Sequence, residues 1–342
     1  MRKPAVVVAH AMPLESGVCP AYGSTMNGDR AERESIRTIV IALAANVGIA
    51  FAKLAAAFIT SSSGILAEAL HAFADSGNEI LLLIAQQRSS RQPDRSHPVG
   101  HGREAYFWAL LASIGVFLTG AIASVGEGIR ALFNPGEASN FLVAYAVLLI
   151  SLALEGLSLL RAYRQLHDEA RRLSRNVVEH LLLTSDPTTR AVFAEDAAAV
   201  TGNLIALAGV ALHQAMGSSK PDAIAAIIIG ILVGAVGLIL ATRNRDFLVG
   251  EQAPAALRER LRTLIAAQPG IDAVTELFVT FVGPRRLSVL ARVDINNTLT
   301  GAEVEQLIRR TEKALRNLTP YIARVDVVSY GPAFEENTRR AL

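Results

Sequence analysis

Six apolar stretches, each long enough to cross a lipid bilayer, leave this 342-residue chain few folds to choose from. A spanning helix needs about 20 mostly apolar residues, and inside hydrocarbon only a helix or a closed barrel satisfies its own backbone. The stretches run near 36–60, 63–88, 104–133, 140–160, 190–216 and 222–242. Charged residues make up only 19% of the chain, and the Arg and Lys residues sit mostly between the apolar runs. The net charge of +2 gives no nucleic-acid footprint. A single cysteine, Cys19, excludes an internal disulfide framework and a cysteine-based zinc module. The first thirty residues lack a clean apolar core and read as a cytosolic tail rather than a cleaved signal peptide.

The connecting loops set an orientation. Arg30, Arg33 and Arg37 precede the first stretch, and Arg88, Arg91, Arg95 and Arg103 fall between the second and third. Arg161, Arg164, Arg171, Arg172 and Arg175 separate the fourth from the fifth, and Arg243 and Arg245 follow the sixth. The other three loops are short and hold one cation, Lys220. Positive-inside bias therefore puts both termini in the cytoplasm.

From Asp246 the pattern turns soluble. Residues 254–267 read as an amphipathic helix. Residues 273–282 and 286–295 read as two strands joined by a turn at Gly283-Pro284. Residues 300–317 form a second helix with a Thr300/Glu303 capping box, and 324–329 form a third strand. The fold class expected is an α-helical membrane protein: a six-transmembrane-helix bundle followed by a small α+β (αββαβ) cytosolic C-terminal domain. The expected boundaries are a tail at 1–34, a membrane domain at 35–247, a soluble domain at 248–334 and a tail at 335–342. About 85 residues make a modest core, which favours an oligomer partner for the soluble domain.

Ionisable residues inside a span are expensive and point to function. In the second stretch Glu68, His71, Asp75, Asn78 and Glu79 follow steps of three and four and share one stripe of a helix. His71 and Asp75, at i and i+4, offer an imidazole and a carboxylate to one point, a pairing that suits a borderline-soft divalent ion such as zinc. The fifth stretch adds Glu195 and Asp196. His71, Asp75 and Asp196 would supply three ligands of a tetrahedral site. Val192, one turn before Asp196, cannot ligate, so the fourth place falls to Glu195, water or another helix. The alternative is that such groups merely hydrogen-bond across helix interfaces, the reading preferred for Asn46, Ser113 and Asn203. Lys53 is the one lysine within a predicted span, and Glu195 or Glu155 is its expected partner.

A second cluster lies in the loop after the second stretch. Asp94, His97 and His101 supply one oxygen and two nitrogens within eight residues. Three ligands with room for water make a workable zinc arrangement, and two solvated histidines are the equally open alternative.

These motifs resemble the cation diffusion facilitators, a family that exchanges cytosolic divalent metals for protons. The resemblance runs from about residue 36 to 331. It rests on Gly64-Ile65-Leu66-Ala67-Glu68-Ala69-Leu70-His71-Ala72-Phe73-Ala74-Asp75 and on His97-Pro98-Val99-Gly100-His101-Gly102-Arg103. Ser185-Asp186-Pro187-Thr188-Thr189 with Glu195-Asp196-Ala197-Ala198-Ala199-Val200-Thr201-Gly202 is similar to the zinc-transporter-nine branch. The resemblance implies metal ligands at His71, Asp75 and Asp196, with Glu195 the candidate replacement for the ligand that Val192 displaces. It also implies a loop site at Asp94, His97 and His101. It implies Zn²⁺, or iron, cobalt or manganese, as cargo, protons as counter-ion, no organic cofactor, and a homodimer formed through the C-terminal domain. The expected location is a multi-pass position in the bilayer, the inner membrane if the cell is bacterial. Between Asp246 and Leu342 there is no His and no Cys, so no zinc pair is expected in the soluble domain. Two rival classes fit the residues less well. An intramembrane metallohydrolase lacks a His-Glu-x-x-His motif and a nucleophile beside a base. A metal-responsive scaffold fits poorly with so many intramembrane ligands.

Overall fold

The computed structural model describes residues 43, 44, 46–134, 140–172, 176–319 and 321–330. The tails expected at 1–34 and 335–342, and the start of the first stretch, lie outside the described residues.

The chain divides into two compact units. The first is helical. It contains α1 (Asn46–Thr60), α2 (Ser63–Ser89), α3 (Glu104–Phe133), α4 (Phe141–Arg172), α5 (Val177–Leu183), α6 (Pro187–Met216) and α7 (Lys220–Val249, whose last residue belongs to the second unit). Side-chain caps start α2 and α6. Ser62 caps α2 by accepting from the Ile65 N–H, and Asp186 caps α6 by accepting from Thr188 and Thr189, with Pro187 in the first turn. Gly217, at φ 61°, ends α6 in the left-handed conformation that glycine adopts without strain. A π-helical turn at Ser113–Phe117 interrupts α3.

Four of these helices, α3, α4, α6 and α7, are long and apolar enough to cross a membrane by length and composition. The described part of the first stretch, α1, is a shorter apolar helix. Helix α2 is long enough at 27 residues but is not among the four. Its mean apolarity is diluted by Glu68, Asp75 and Glu79, which belong to the polar stripe read from its spacing. The expected six spans are therefore matched by four helices on this criterion. Helices α2 and α3 pack together, α4 lies along α6, and α2 also contacts α6. Small residues permit the close approaches. A Cβ on Gly230 of α7 would fall 2.9 Å from the Ala121 carbonyl of α3, and one on Gly128 of α3 would fall 2.8 Å from the Ala223 carbonyl of α7.

The second unit joins Gln92–Gly102 to the chain from Val249 onward. Its elements are α8 (Ala255–Ala266), β1 (Ile271–Gly283), β2 (Arg286–Ile295), α9 (Gly301–Leu318) and β3 (Ile322–Ser329), in the αββαβ order read from sequence. The sheet order is β1-β2-β3, antiparallel between β1 and β2 and parallel between β2 and β3. Val279 pairs with Val289, which pairs with Val325. Strand β2 alternates strictly, burying Leu287, Val289, Ala291, Val293 and Ile295 on one face. Helices α8 and α9 contribute Leu261, Ile265, Leu307 and Leu315 to the buried set. Both halves of the Thr300/Glu303 capping box are formed.

The Gln92–Gly102 loop belongs with this sheet rather than with the helices that flank it in sequence. Gly102 lies against the turn between β1 and β2, so that a Cβ there would collide with the Val282 carbonyl and meet Gly283 at 3.0 Å.

Candidate metal centre

Helix α2 carries the polar stripe that its spacing predicts. His71 is 1% exposed, and its Nε2 lies 3.6 Å from Asp75 Oδ2. Neither ring nitrogen of His71 has a hydrogen-bond partner, and neither does Asp75 Oδ1. Glu68 Oε1, one turn toward Ser62, and Glu79 Oε2, one turn the other way, are likewise buried without a partner. Five orphaned polar atoms thus occupy one stripe of one helix. Buried polar groups are ordinarily hydrogen-bonded, so a run of exceptions requires an explanation. A neutral imidazole and a carboxylate with open lone pairs are the donor set of a divalent transition ion.

The two acidic residues of α6 stand differently. Asp196 Oδ2 accepts from Ser158 Oγ of α4 at 2.8 Å. Glu195 is 5% exposed, and its Oε1 is held by the side-chain amide of Asn78 on α2. Val192 lines a cavity of about 280 Å³ between α4 and α6, beside Ser158, Arg161 and Thr189. His71, Asp75 and Asp196 are not gathered into one tight cluster. Among the described residues, the one group of three ligand types whose atoms lie within 4.8 Å of one another is Asp94, His97 and His101.

Lys53 is wholly buried and bridges two carboxylates, Glu68 Oε2 at 2.9 Å and Glu155 Oε1 at 2.8 Å. Glu155 is one of its two expected partners; the second is Glu68 rather than Glu195. Asn203 donates to Glu155 Oε2. At the Ser62 end of α2, the Asp222 carboxylate of α7 accepts from Ser62 Oγ at 2.8 Å, the Ser63 N–H at 2.7 Å and the Gly64 N–H at 3.3 Å. Sequence reasoning missed Asp222; its only signal was a carboxylate at the edge of an apolar run.

In the loop, Asp94 stands between two imidazoles. Its Oδ1 lies 3.3 Å from His97 Nδ1, and its Oδ2 lies 3.1 Å from His101 Nε2. The two rings are 4.1 Å apart at their centroids. A tetrahedral ion with bonds of ~2.0–2.1 Å sets its ligand atoms about 3.3 Å apart; one ligand atom from each of Asp94, His97 and His101 already lies within 4.8 Å of the others, so the three can close on one ion. Backbone N–H groups of Ser96 and His97 also donate to Asp94 Oδ1, at 2.8 and 2.6 Å. The His101 hydrogen bond, and next the His97 N–H, hold the Asp94 carboxyl down at about 2. The ligand oxygen is thus ionised at any physiological pH.

Together, the apolar helices define an integral membrane protein, with a buried stripe of polar side chains on α2. Residues 39–249 match the cation efflux transmembrane domain. The chain belongs to the cation efflux family. It is 31% identical over 260 residues to the proton-coupled zinc antiporter SLC30A9, mitochondrial, of Xenopus laevis, covering 76% of this chain and 46% of that protein. It is 29% identical over 280 residues to metal tolerance protein C4 of Arabidopsis thaliana, covering 82% and 61%. The chain therefore spans about half to three-fifths of the length of these curated relatives. Among solved structures, a C-terminal domain of MamM matches at 17% identity, covering 22% of this chain and 90% of that one with a TM-score of 0.21.

Proposed function

We propose that this protein moves divalent transition-metal ions, zinc first among them, out of the cytosol in exchange for protons. The observation that carries the reading is the buried His71–Asp75 pair, with its ring nitrogens and carboxylate oxygen left open to a cation. Family membership and the printed activity of the SLC30A9 relative support it. In this reading α1 to α4, α6 and α7 are six spans with both termini cytoplasmic, and α2 and α6 face each other across the ion's route. Metal reaches His71 and Asp75 from the cytosolic side, Asp196 completes the site as α6 shifts, and the site then opens to the far side. Protons compete for the same groups because ligands must be deprotonated to bind metal, which couples the two fluxes. Glu195, held by Asn78, joins the site only if that bond opens. Asp94, His97 and His101 hold a separate, resident metal on the cytosolic loop. The soluble domain pairs two copies of the chain. The protein acts as a transporter and not as an enzyme.

The test is metal flux into proteoliposomes with an imposed pH gradient, comparing zinc, iron, cobalt and manganese. Zinc uptake should collapse without the gradient and in Asp75→Ala and Asp196→Asn. Uptake retained by Asp75→Ala would overturn the site. Preference for another metal would leave the mechanism standing and point to Val192 as the source of altered selectivity, since the usual ligand position there is apolar.

A further inference from the structure

Lys53 is a fully buried cation in a pathway assigned to cations. Its ammonium is held by Glu68 and Glu155 from two other helices. Glu155 is tied in turn to Asn203 of α6, while Gly202 is pressed against Glu68 so closely that a Cβ there would collide with Oε1. Four helices, α1, α2, α4 and α6, thus meet at one ammonium. The cluster sits one turn from His71 along α2, where both His71 ring nitrogens and Asp75 Oδ1 are buried without a hydrogen-bond partner. One ammonium and two carboxylates leave one negative charge. Without the lysine there would be two, together with free carboxylate oxygens beside an imidazole and a third carboxylate. That is a donor set able to trap a divalent ion rather than pass it on.

We propose that Lys53 is an affinity-setting residue: an internal counter-cation that keeps Glu68 and Glu155 off the travelling metal and weakens its hold at His71 and Asp75, so that the ion is released. The inference rests on the proposed transport site. A charge fixed near a divalent ion in a poorly screened interior changes its binding strongly, because Coulomb energy scales inversely with the local dielectric. A transporter gains nothing from tight binding that is equal in both of its states, since only differential affinity shifts the equilibrium between them. An ammonium beside the site lowers affinity throughout the cycle and shortens the ion's stay. A purely structural lysine would hold the four helices together and leave metal affinity unchanged.

The experiment measures zinc affinity by competition with a fluorescent chelator, together with KM and kcat for flux. It uses the whole chain carrying Asp94→Ala, His97→Ala and His101→Ala to remove the loop ligands. Lys53→Met should bind zinc tighter by about tenfold or more while kcat falls, since one added unit of negative charge acts on a divalent ion. Lys53→Arg should stay near the parent. The pair Lys53→Met with Glu155→Gln restores the original charge and should bring the affinity back. Glu155→Gln alone, which keeps the lysine, should weaken zinc binding, and it gives a readout even if Lys53→Met fails to fold. Unchanged affinity in Glu155→Gln, or a double variant as tight as Lys53→Met, would overturn the proposal. His71→Ala separates the two layers. If it binds zinc as the parent does, the transport-site reading itself has failed; if it loses zinc, the Lys53 and Glu155 variants judge Lys53 alone.

Discussion

Replacing Asp222 with alanine removes the acceptor that closes the Ser62 end of α2, the helix bearing His71 and Asp75. Three donors converge on that carboxylate: Ser62 Oγ at 2.8 Å, the Ser63 N–H at 2.7 Å and the Gly64 N–H at 3.3 Å. The two N–H groups are among the four that a helix start leaves without internal partners. They are buried, so the loss strands them away from water. The close approach depends on Gly64, where a Cβ would fall 2.8 Å from Asp222 Oδ1. An interhelical hydrogen bond in a membrane protein is worth about 0.6 kcal/mol on average, and a charged acceptor roughly doubles that. Three such bonds come to about 3–4 kcal/mol, an upper figure because they share one carboxylate and are not additive. At about 2–4 °C per kcal/mol for a unit of this size, Asp222→Ala should lower the unfolding midpoint of detergent-solubilised protein by about 6–16 °C at most. Asp222→Asn keeps one acceptor oxygen and should lose about half as much. Midpoints can be followed by intrinsic fluorescence with size-exclusion recovery as the check. An alanine variant within about 2 °C of the parent would show that the carboxylate does not hold this helix start.

The loop yields two more predictions. The native value of about 2 for Asp94 lies below that of a free aspartate, about 3.9, so its stabilising contribution is complete above about pH 4 and is lost as the pH falls toward 2. Carboxylate NMR should find that low midpoint, and His101→Ala should raise it; a parent midpoint above about 3.5 would refute the assigned hydrogen bonds. Gly102→Ala would drive a methyl into the Val282 carbonyl, and backbone yields less readily than a side-chain tip. An overpacking cost of about 1–3 kcal/mol should displace the loop from the β1–β2 turn and weaken its zinc binding about tenfold; zinc affinity equal to the parent's would separate the loop site from the sheet.

Much of the architecture was legible because its signals are local. Helix α7 reads as apolar over 223–242, and β2 alternates with a period of two, so one face could only be core. The capping box of α9 lies within four residues and formed as read. The polar stripe of α2 follows from steps of three and four alone. That stripe also explains why α2 does not meet a plain apolarity criterion for a span: its charged residues dilute the run.

The sequence by itself determined most of the helices and strands and which side chains share a face, because backbone periodicity is fixed by neighbours in the chain; it did not show α5 or the run of α4 past residue 160. Only the tertiary structure decided the partners. Lys53 meets Glu68 fifteen positions away and Glu155 at 102, Glu195 meets Asn78 at 117, and Asp222 reaches Ser62 at 160. Likewise, the loop carrying Asp94, His97 and His101 lies next to α2 and α3 in sequence but belongs with the sheet. Such pairings depend on which helix faces pack together and on where glycine lets backbones close in. No local period encodes that choice. It is made by burial, which brings Lys53 and Asp222 to partners on other elements.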